Sequence, residues 1–200
     1  MVRKNIIIKD GSNVYFTSDT HFQHGNIIKF CNRPYSNVEE MNNAIIENWN
    51  SVVGPNDIVF HLGDFAWSGS WNTVLDRLNG KINLILGNHD NLVRKFMNKF
   101  ESVQEQLTLN IDGKIVVLNH FPYLCLPANY IQLHGHIHLS TKKNEDYDFM
   151  RSYSLQPNQY DVGVDLNNYR PISWLQVLER INYQIANNTN CLYWIKNGNC

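Results

Sequence analysis

The chain has 200 residues, 43% of them hydrophobic and 12% aromatic, with 17 Lys+Arg against 18 Asp+Glu and a formal net charge of −1. That length suits one domain over residues 1–200, burying about 70% of its unfolded surface, which excludes a disordered tail, a collagen-like rod and a disulfide-stapled miniature fold. The balanced charge excludes a strongly basic nucleic-acid coat and a polybasic membrane binder, while charged residues are few at 18% and Asn, with 29, fills the gap.

In chain order, Arg3 and Lys4 precede Ile6–Ile8. Three apolar residues fall short of the roughly 7–15 of a secretory core, and no run approaches the ~20 of a membrane span. A cytoplasmic chain with no membrane partner is expected. Cys31, Cys125, Cys191 and Cys200 show no CxxC spacing and read as free thiols of a reducing compartment. Separation alone would allow a Cys191–Cys200 bridge. Ile6–Ile8 and Val14–Ser18 look like strands around a turn at Asp10–Gly11. Phe22–Tyr35 reads as a loop. Val38–Val52 repeats Val38, Met41, Ile45, Trp49 and Val52 at helical spacing, capped by Ser36 or Asn37 and stopped by Gly54–Pro55. Ile58–Leu62 and Ile82–Leu86 are short apolar runs, hence buried strands. Helices are expected over Trp71–Leu78, ending near Gly80, and over Leu92–Phe100.

Strands then follow in a run. Leu107, Leu109 and Ile111 alternate, Asp112–Gly113 turns the chain, and Ile115–Leu118 returns. Ile131–His134 and Asp161–Val164 are further strands, Thr141–Gln159 a polar loop, Ile172–Ile185 a helix after Pro171, and Cys191–Ile195 a last strand. Alternating strands and helices followed by strands indicate a mixed α/β sandwich.

All eight His precede residue 139, and most follow a buried strand. Val14–Ser18 runs into Asp19-Thr20-His21, Ile58–Leu62 into Gly63-Asp64, and Ile82–Leu86 into Gly87-Asn88-His89-Asp90. Ile115–Leu118 runs into Asn119-His120, and Ile131–Leu133 into His134-Gly135-His136-Ile137-His138. Carboxyl ends of strands in α/β sheets converge on ligand crevices. Singly, each residue has an ordinary explanation: a helix cap at Asp64, a turn at Gly87-Asn88, a packed imidazole elsewhere. Together the five strand ends point to one metal site. Imidazole, carboxylate and amide oxygen without thiolate suit Mn²⁺, Fe²⁺, Zn²⁺ or Ni²⁺. In a strand, His136 and His138 would face one side.

These residues, in this order, resemble the calcineurin-like metallophosphoesterase superfamily, whose pattern is D-x-H, G-D, G-N-H-[D/E], a lone His, and G-H-x-H. The small bacterial and bacteriophage members are most similar, through Asp19 to Ile27, Arg33-Pro34, Gly163-Val164-Asp165 and Tyr169-Arg170-Pro171. The resemblance implies a four-layer α/β/β/α sandwich of two mixed sheets flanked by helices. It implies two divalent metal ions, Mn²⁺ first, with Fe, Zn or Ni as alternatives. Asp19, His21 and His138 would hold one ion, Asn88, His120 and His136 the other, and Asp64 both. His89, oriented by Asp90, would be the general acid, and a metal-bridging hydroxide would attack phosphorus in line.

The second motif continues Phe65-Ala66-Trp67-Ser68 and lacks the D-R extension of the protein phosphatases. His24, Asn26 and Arg33, with Lys29, are therefore candidates for substrate contacts. Phe121-Pro122-Tyr123 is a candidate pocket lining, and His61 and His134 are core or supporting residues. The expected reaction is hydrolysis of a small phosphoester, phosphodiesters such as nucleotides or cyclic nucleotides being favoured. A phosphomonoesterase on a small metabolite and a non-catalytic scaffold of the same fold are the alternatives, and the oligomeric state stays open.

Overall fold

A computed structural model describes residues 6–67, 71–91, 98–139 and 155–190. Its elements are β1 (Ile6–Ile8), β2 (Val14–Thr17), α1 (Gly25–Phe30), α2 (Val38–Asn50), β3 (Ile58–His61), α3 (Trp71–Leu75) and β4 (Lys81–Ile85). Then come β5 (Ser102–Gln104), β6 (Gln106–Ile111), β7 (Lys114–Asn119), β8 (Tyr130–His134), β9 (Gln159–Asp161), β10 (Ile172–Ser173) and α4 (Trp174–Ala186). The strands form two five-stranded sheets, ordered β10-β2-β3-β4-β5 and β1-β6-β7-β8-β9. Strands β2 to β5 run parallel with β10 antiparallel beside β2, while the β6–β7 hairpin is the antiparallel pair of the other sheet. This is the expected α/β sandwich of two mixed sheets flanked by helices.

Period-two alternation decides which side chains meet. Val14, Phe16, Phe60 and Leu62 turn inward to meet Leu109, Val116, Leu118, Leu133 and Tyr160 of the second sheet, with Trp174, Val177 and Ile181 of α4 joining this core. On the outer face of the first sheet, Val59, Ile82 and Leu84 pack beneath Met41, Ile45 and Trp49 of α2. Each such side chain contributes about 1.5–3 kcal/mol when fully buried. Asn37 caps α2, its Oδ1 accepting from the Glu40 amide at 2.9 Å.

Several boundaries differ from expectation for local reasons. β1 and β2 do not pair across the Asp10–Gly11 turn: β1 joins β6 and β2 joins β3, in different sheets. The turn is pinned by Asp112, which accepts from the Gly11 amide and from Trp174 Nε1. The loop expected over Phe22–Tyr35 contains α1. The helix expected from Ile172 begins only at Trp174, because Ser173 and Gln176 form a capping box and the residues before them add β10 to β2. The strand expected over Asp161–Val164 is β9, over Gln159–Asp161. The Asp161 carboxylate folds back onto the Gly163 amide and ends it. β8 stops at His134, so His136 and His138 are not strand neighbours. Most of the Leu92–Phe100 helix, the Cys191–Ile195 strand, most of the Thr141–Gln159 loop, and Cys191 and Cys200 lie outside the described residues, whereas Cys31 and Cys125 are free thiols. No described helix is long and apolar enough to cross a membrane.

Candidate metal centre

The carboxyl ends of β2, β3, β4, β7 and β8 meet at one place. Asp19 and His21 leave β2, Asp64 leaves β3, Asn88 and His89 leave β4, His120 follows β7, and His136 and His138 follow β8. The chain turns sharply to present them: Asp19, His21, Asp64, His136 and His138 all have positive φ, between 43° and 72°. Non-glycine residues held there cost on the order of 1–3 kcal/mol each and cluster at functional sites. The motif glycines make the close approach possible. A Cβ on Gly63, itself at φ +95°, would sit 2.6 Å from the Gly87 amide and from His120 Nδ1. A Cβ on Gly87 would overlap the Asp64 carboxylate, and one on Gly135 would overlap Ser18 Oγ and Asp19 Oδ2.

Backbone amides fix the carboxylates. The His136 amide donates to both oxygens of Asp19, at 3.0 and 3.2 Å, and the His89 amide donates to Asp64 Oδ1 at 2.9 Å. This leaves Asp64 Oδ2 facing inward, 3.5 Å from both His21 Nε2 and His120 Nε2. The imidazoles are tied from behind. His120 Nδ1 lies 2.7 Å from the Leu62 carbonyl and His138 Nδ1 lies 2.8 Å from Asp165 Oδ2; both partners only accept, so both Nδ1 atoms carry hydrogen and Nε2 points inward. Asn88 Oδ1 lies 3.0 Å from His120 Nε2 and His138 Nε2 lies 3.7 Å from Asp19 Oδ1. Two donor groups, Asp19–His21–His138 and Asp19–Asp64–His120, gather these residues, and a third, Cys31–His138–Asp165, lies behind His138; in each the ligand atoms are within 4.8 Å of one another. The His136 ring stands edge-on to His120, centroids 5.0 Å apart.

Burial opposes charge on Asp64, His120, His21 and His138, and local partners decide the outcome. Asp64 is held well below the usual carboxylate range, against burial, by His120, His21 and the His89 amide. His120 is pushed up to about 9 as Asp64, Asp19 and the Leu62 carbonyl overcome its burial. Where His21 and His138 face each other at 3.2 Å, burial and the neighbouring imidazole keep His21 well below its ordinary value. His138 stays well above its own, because Asp19 and Asp165 outweigh burial.

Arg33 is not a substrate contact. Buried to 4% exposure, it spends all five N–H donors inside the protein. Nε and Nη2 clasp the Asp165 carboxylate at 2.8 and 3.0 Å, Nη2 also reaches the Asp19 carbonyl at 2.7 Å, and Nη1 serves the Thr20 carbonyl at 2.9 Å and Met41 Sδ. An Arg33–Asp165–His138 relay therefore braces the centre, and Arg33 also grips the Asp19–Thr20 backbone. Asp165 is the residue that sequence reasoning left without a role, although Gly163-Val164-Asp165 follows a strand as the other motifs do. His24 is likewise no open contact: it is buried under Trp67, rings stacked 4.1 Å apart, with Nδ1 3.4 Å from His21 Nδ1. Asn26 and Lys29 are exposed on α1.

His89 stands at the rim, its side chain 40% exposed and Nε2 4.0 Å from Asp64 Oδ2. Asp90 does not orient that ring. Its carboxylate accepts from the amides of Asp64, Phe65 and Gly87 at 2.7–2.9 Å, clipping the loop after β3 to the turn after β4. His61 and His134 are fully buried, and burial lowers them to about 3 and about 4. His61 Nε2 donates to Thr20 Oγ1 at 3.0 Å, because that hydroxyl gives its own hydrogen to the Phe65 carbonyl. Phe121 stands beside His136 and His120, whereas the Tyr123 hydroxyl is engaged with Gln106.

A family model described as calcineurin-like phosphoesterase matches residues 12–188. An uncharacterized protein of Methanocaldococcus jannaschii is 40% identical over 166 residues, covering 80% of this chain and 86% of that protein. The Gene 66 proteins of two Mycobacterium phages are each 31% identical over 77% of this chain, covering 88% and 87% of their own lengths. The crystal structure of a protein of unknown function from Aquifex aeolicus matches with a TM-score of 0.65 at 26% identity, over 83% of this chain and 97% of that one. With five strand ends delivering carboxylate, amide and imidazole groups to one cluster, the chain belongs to the calcineurin-like phosphoesterase family of metal-dependent phosphoester hydrolases.

Proposed function

We propose that this chain is a dinuclear-metal phosphodiesterase acting on a small phosphoester, a nucleotide or cyclic nucleotide, as one cytoplasmic domain. The observation that carries the reading is Asp64 Oδ2, equidistant at 3.5 Å from His21 and His120, one imidazole from each donor group. In this reading Asp19, His21 and His138 hold one ion, Asn88, His120 and His136 the other, and Asp64 both. The donor set fits: two imidazoles have their Nδ1–H tied back, and nitrogen and oxygen donors without thiolate suit Mn²⁺, with Fe, Zn or Ni as alternatives. Bound there, such ions supply neutralisation of the phosphoryl oxygens and lower the pKa of water toward about 7.

The protein's own groups do the rest. Asp64 and Asp19 are oriented by the backbone amides of His89 and His136 before any substrate arrives. His89, exposed at the rim, is placed to hold a proton for the leaving oxygen. Asn26 is an exposed candidate for a substrate contact. The diester preference is supported by Arg33, whose engaged guanidinium offers nothing to the second anionic oxygen of a monoester. The test is hydrolysis of bis-p-nitrophenyl phosphate and p-nitrophenyl phosphate with Mn²⁺ and with EDTA. Mn²⁺-dependent turnover of the diester alone, lost in Asp64→Asn, is expected. Turnover by Asp64→Asn with full metal content would overturn the reading, and turnover of the monoester alone would make the chain a phosphomonoesterase.

A further inference from the structure

We propose that the Trp67 indole is a stacking platform for a planar aromatic ring carried by the leaving alcohol, so that the preferred diesters are those of nucleosides. The inference deepens the phosphodiesterase reading and rests on it for its turnover test, but not for its binding test.

Trp67 is 45% exposed, yet it is not a loosely held surface residue. Its amide donates to the Phe22 carbonyl at 2.9 Å, beside a parallel bridge between Phe22 and Ala66. One face of the indole is covered by His24, 4.1 Å away and only 10° from parallel. His24 is itself buried and packed on His21, with ring centroids 5.3 Å apart. The backing of the platform is thus continuous with the donor cluster. The indole also lies 5.0 Å from the His89 ring, tilted by 50°.

His89 lies between neighbours on both counts: its Nε2 is 4.0 Å from Asp64 Oδ2, and its ring is 5.0 Å from the indole. In hydrolysis, water oxygen bonds to phosphorus, the bond from phosphorus to the leaving oxygen breaks, and that oxygen takes a proton. If His89 gives the proton, the substituent on the leaving oxygen extends past His89 toward Trp67. A rigid, half-exposed indole there favours a flat π-system over an alkyl chain and discriminates little among bases. Base stacking on an aromatic side chain, at about 1–3 kcal/mol, converts to a preference of about 5- to 140-fold.

The experiment uses the full chain loaded with Mn²⁺ and two diesters that share one alcohol framework, thymidine 5′-(methyl phosphate) and its base-less counterpart, tetrahydrofurfuryl methyl phosphate. The wild type is expected to release thymidine and methyl phosphate, with kcat/KM for the thymidine diester higher by about 5- to 140-fold. Trp67→Leu should erase that ratio, lowering kcat/KM for the thymidine diester far more than for the base-less one, and Trp67→Phe should keep part of the ratio. Equal rates in the wild type, a ratio that survives in Trp67→Leu, or thymidine 5′-phosphate and methanol as products would overturn the proposal. So would an equal loss on both diesters in Trp67→Leu, the result expected if the indole only roofs His24. If the wild type turns over neither diester, the phosphodiesterase reading fails, and calorimetry decides the platform separately. Thymidine 5′-phosphate should then bind the Mn²⁺-loaded protein more tightly than tetrahydrofurfuryl phosphate does, and equally in Trp67→Leu. Equal affinity in the wild type would overturn it.

Discussion

Replacing Arg33 by Met separates a bracing role from a substrate role. The change takes the guanidinium from the Asp165 carboxylate, 2% exposed, leaving it to His138, and leaves the carbonyls of Asp19 and Thr20 without that donor. Removing one partner of a buried ion pair costs about 3–5 kcal/mol. For a chain of this length, at about 2–4 °C per kcal/mol, the metal-free Tm should fall by about 6–20 °C. Because Asp165 holds His138 Nδ1, Mn²⁺ affinity should also fall, by about 10–100-fold as for other residues that orient metal ligands. Thermal melts of EDTA-stripped protein and calorimetric Mn²⁺ titration read the two effects. The double variant Arg33→Met/Asp165→Leu sharpens the test. Removing the buried charge should restore much of the Tm, while Mn²⁺ affinity stays low because His138 has lost its acceptor. An unchanged metal-free Tm and Mn²⁺ affinity with a raised KM, as expected of an arginine that clasps phosphate, would refute the reasoning.

Gly135→Ala should keep the far-UV circular dichroism and lose Mn²⁺ affinity by about 10–100-fold, since the added Cβ displaces Asp19; wild-type affinity would show that the loop yields freely. His89→Asn should retain Mn²⁺ and lose about 10²–10⁴-fold in kcat, most on poor leaving groups, and a variant that also sheds its metal would contradict the assignment. His61 is held to about 3 by burial, below its ordinary 6.5, so its stabilisation is complete above pH 6.5 and is lost progressively as pH falls toward 3. At pH 5 that loss is about 2 kcal/mol. Denaturant unfolding of metal-free wild type and His61→Gln at pH 7 and pH 5 should show the gap between them narrowing by that amount, and a constant gap would refute it.

What was legible in the sequence is what local pattern encodes. Short apolar runs ending in Asp, Asn or His announced the strand ends, whereas the close approaches at the glycines before Asp64, Asn88 and His136 appear only in the folded chain. Of the two cap candidates Ser36 and Asn37, it is Asn37 that caps its helix. Pairing across distance was not legible. Ile6–Ile8 beside Val14–Ser18 looks like a hairpin because nothing nearby reveals that β1 belongs to Leu109–Ile111. Arg33 stands near the first motif in sequence, but its partner Asp165 lies 132 residues away. β5 and β10, of three and two residues, are too short to show alternation. Trp67, a single aromatic after a short strand, gives no sign by itself that it would stand half-exposed and stacked on His24.

The three motif glycines bear on how this protein tolerates change. At most positions a mutation has a mild neighbour: Asp to Asn, Ile to Val, Arg to Lys. At 63, 87 and 135 alanine is the smallest step available, and it already drives an atom into a backbone amide or a carboxylate of the cluster. A saturation library scored for activity should therefore find some of its sharpest intolerance at three positions that carry no side-chain atoms. A variant there would still show every carboxylate, amide and imidazole of the motif to a pattern search while its centre had been pushed out of register.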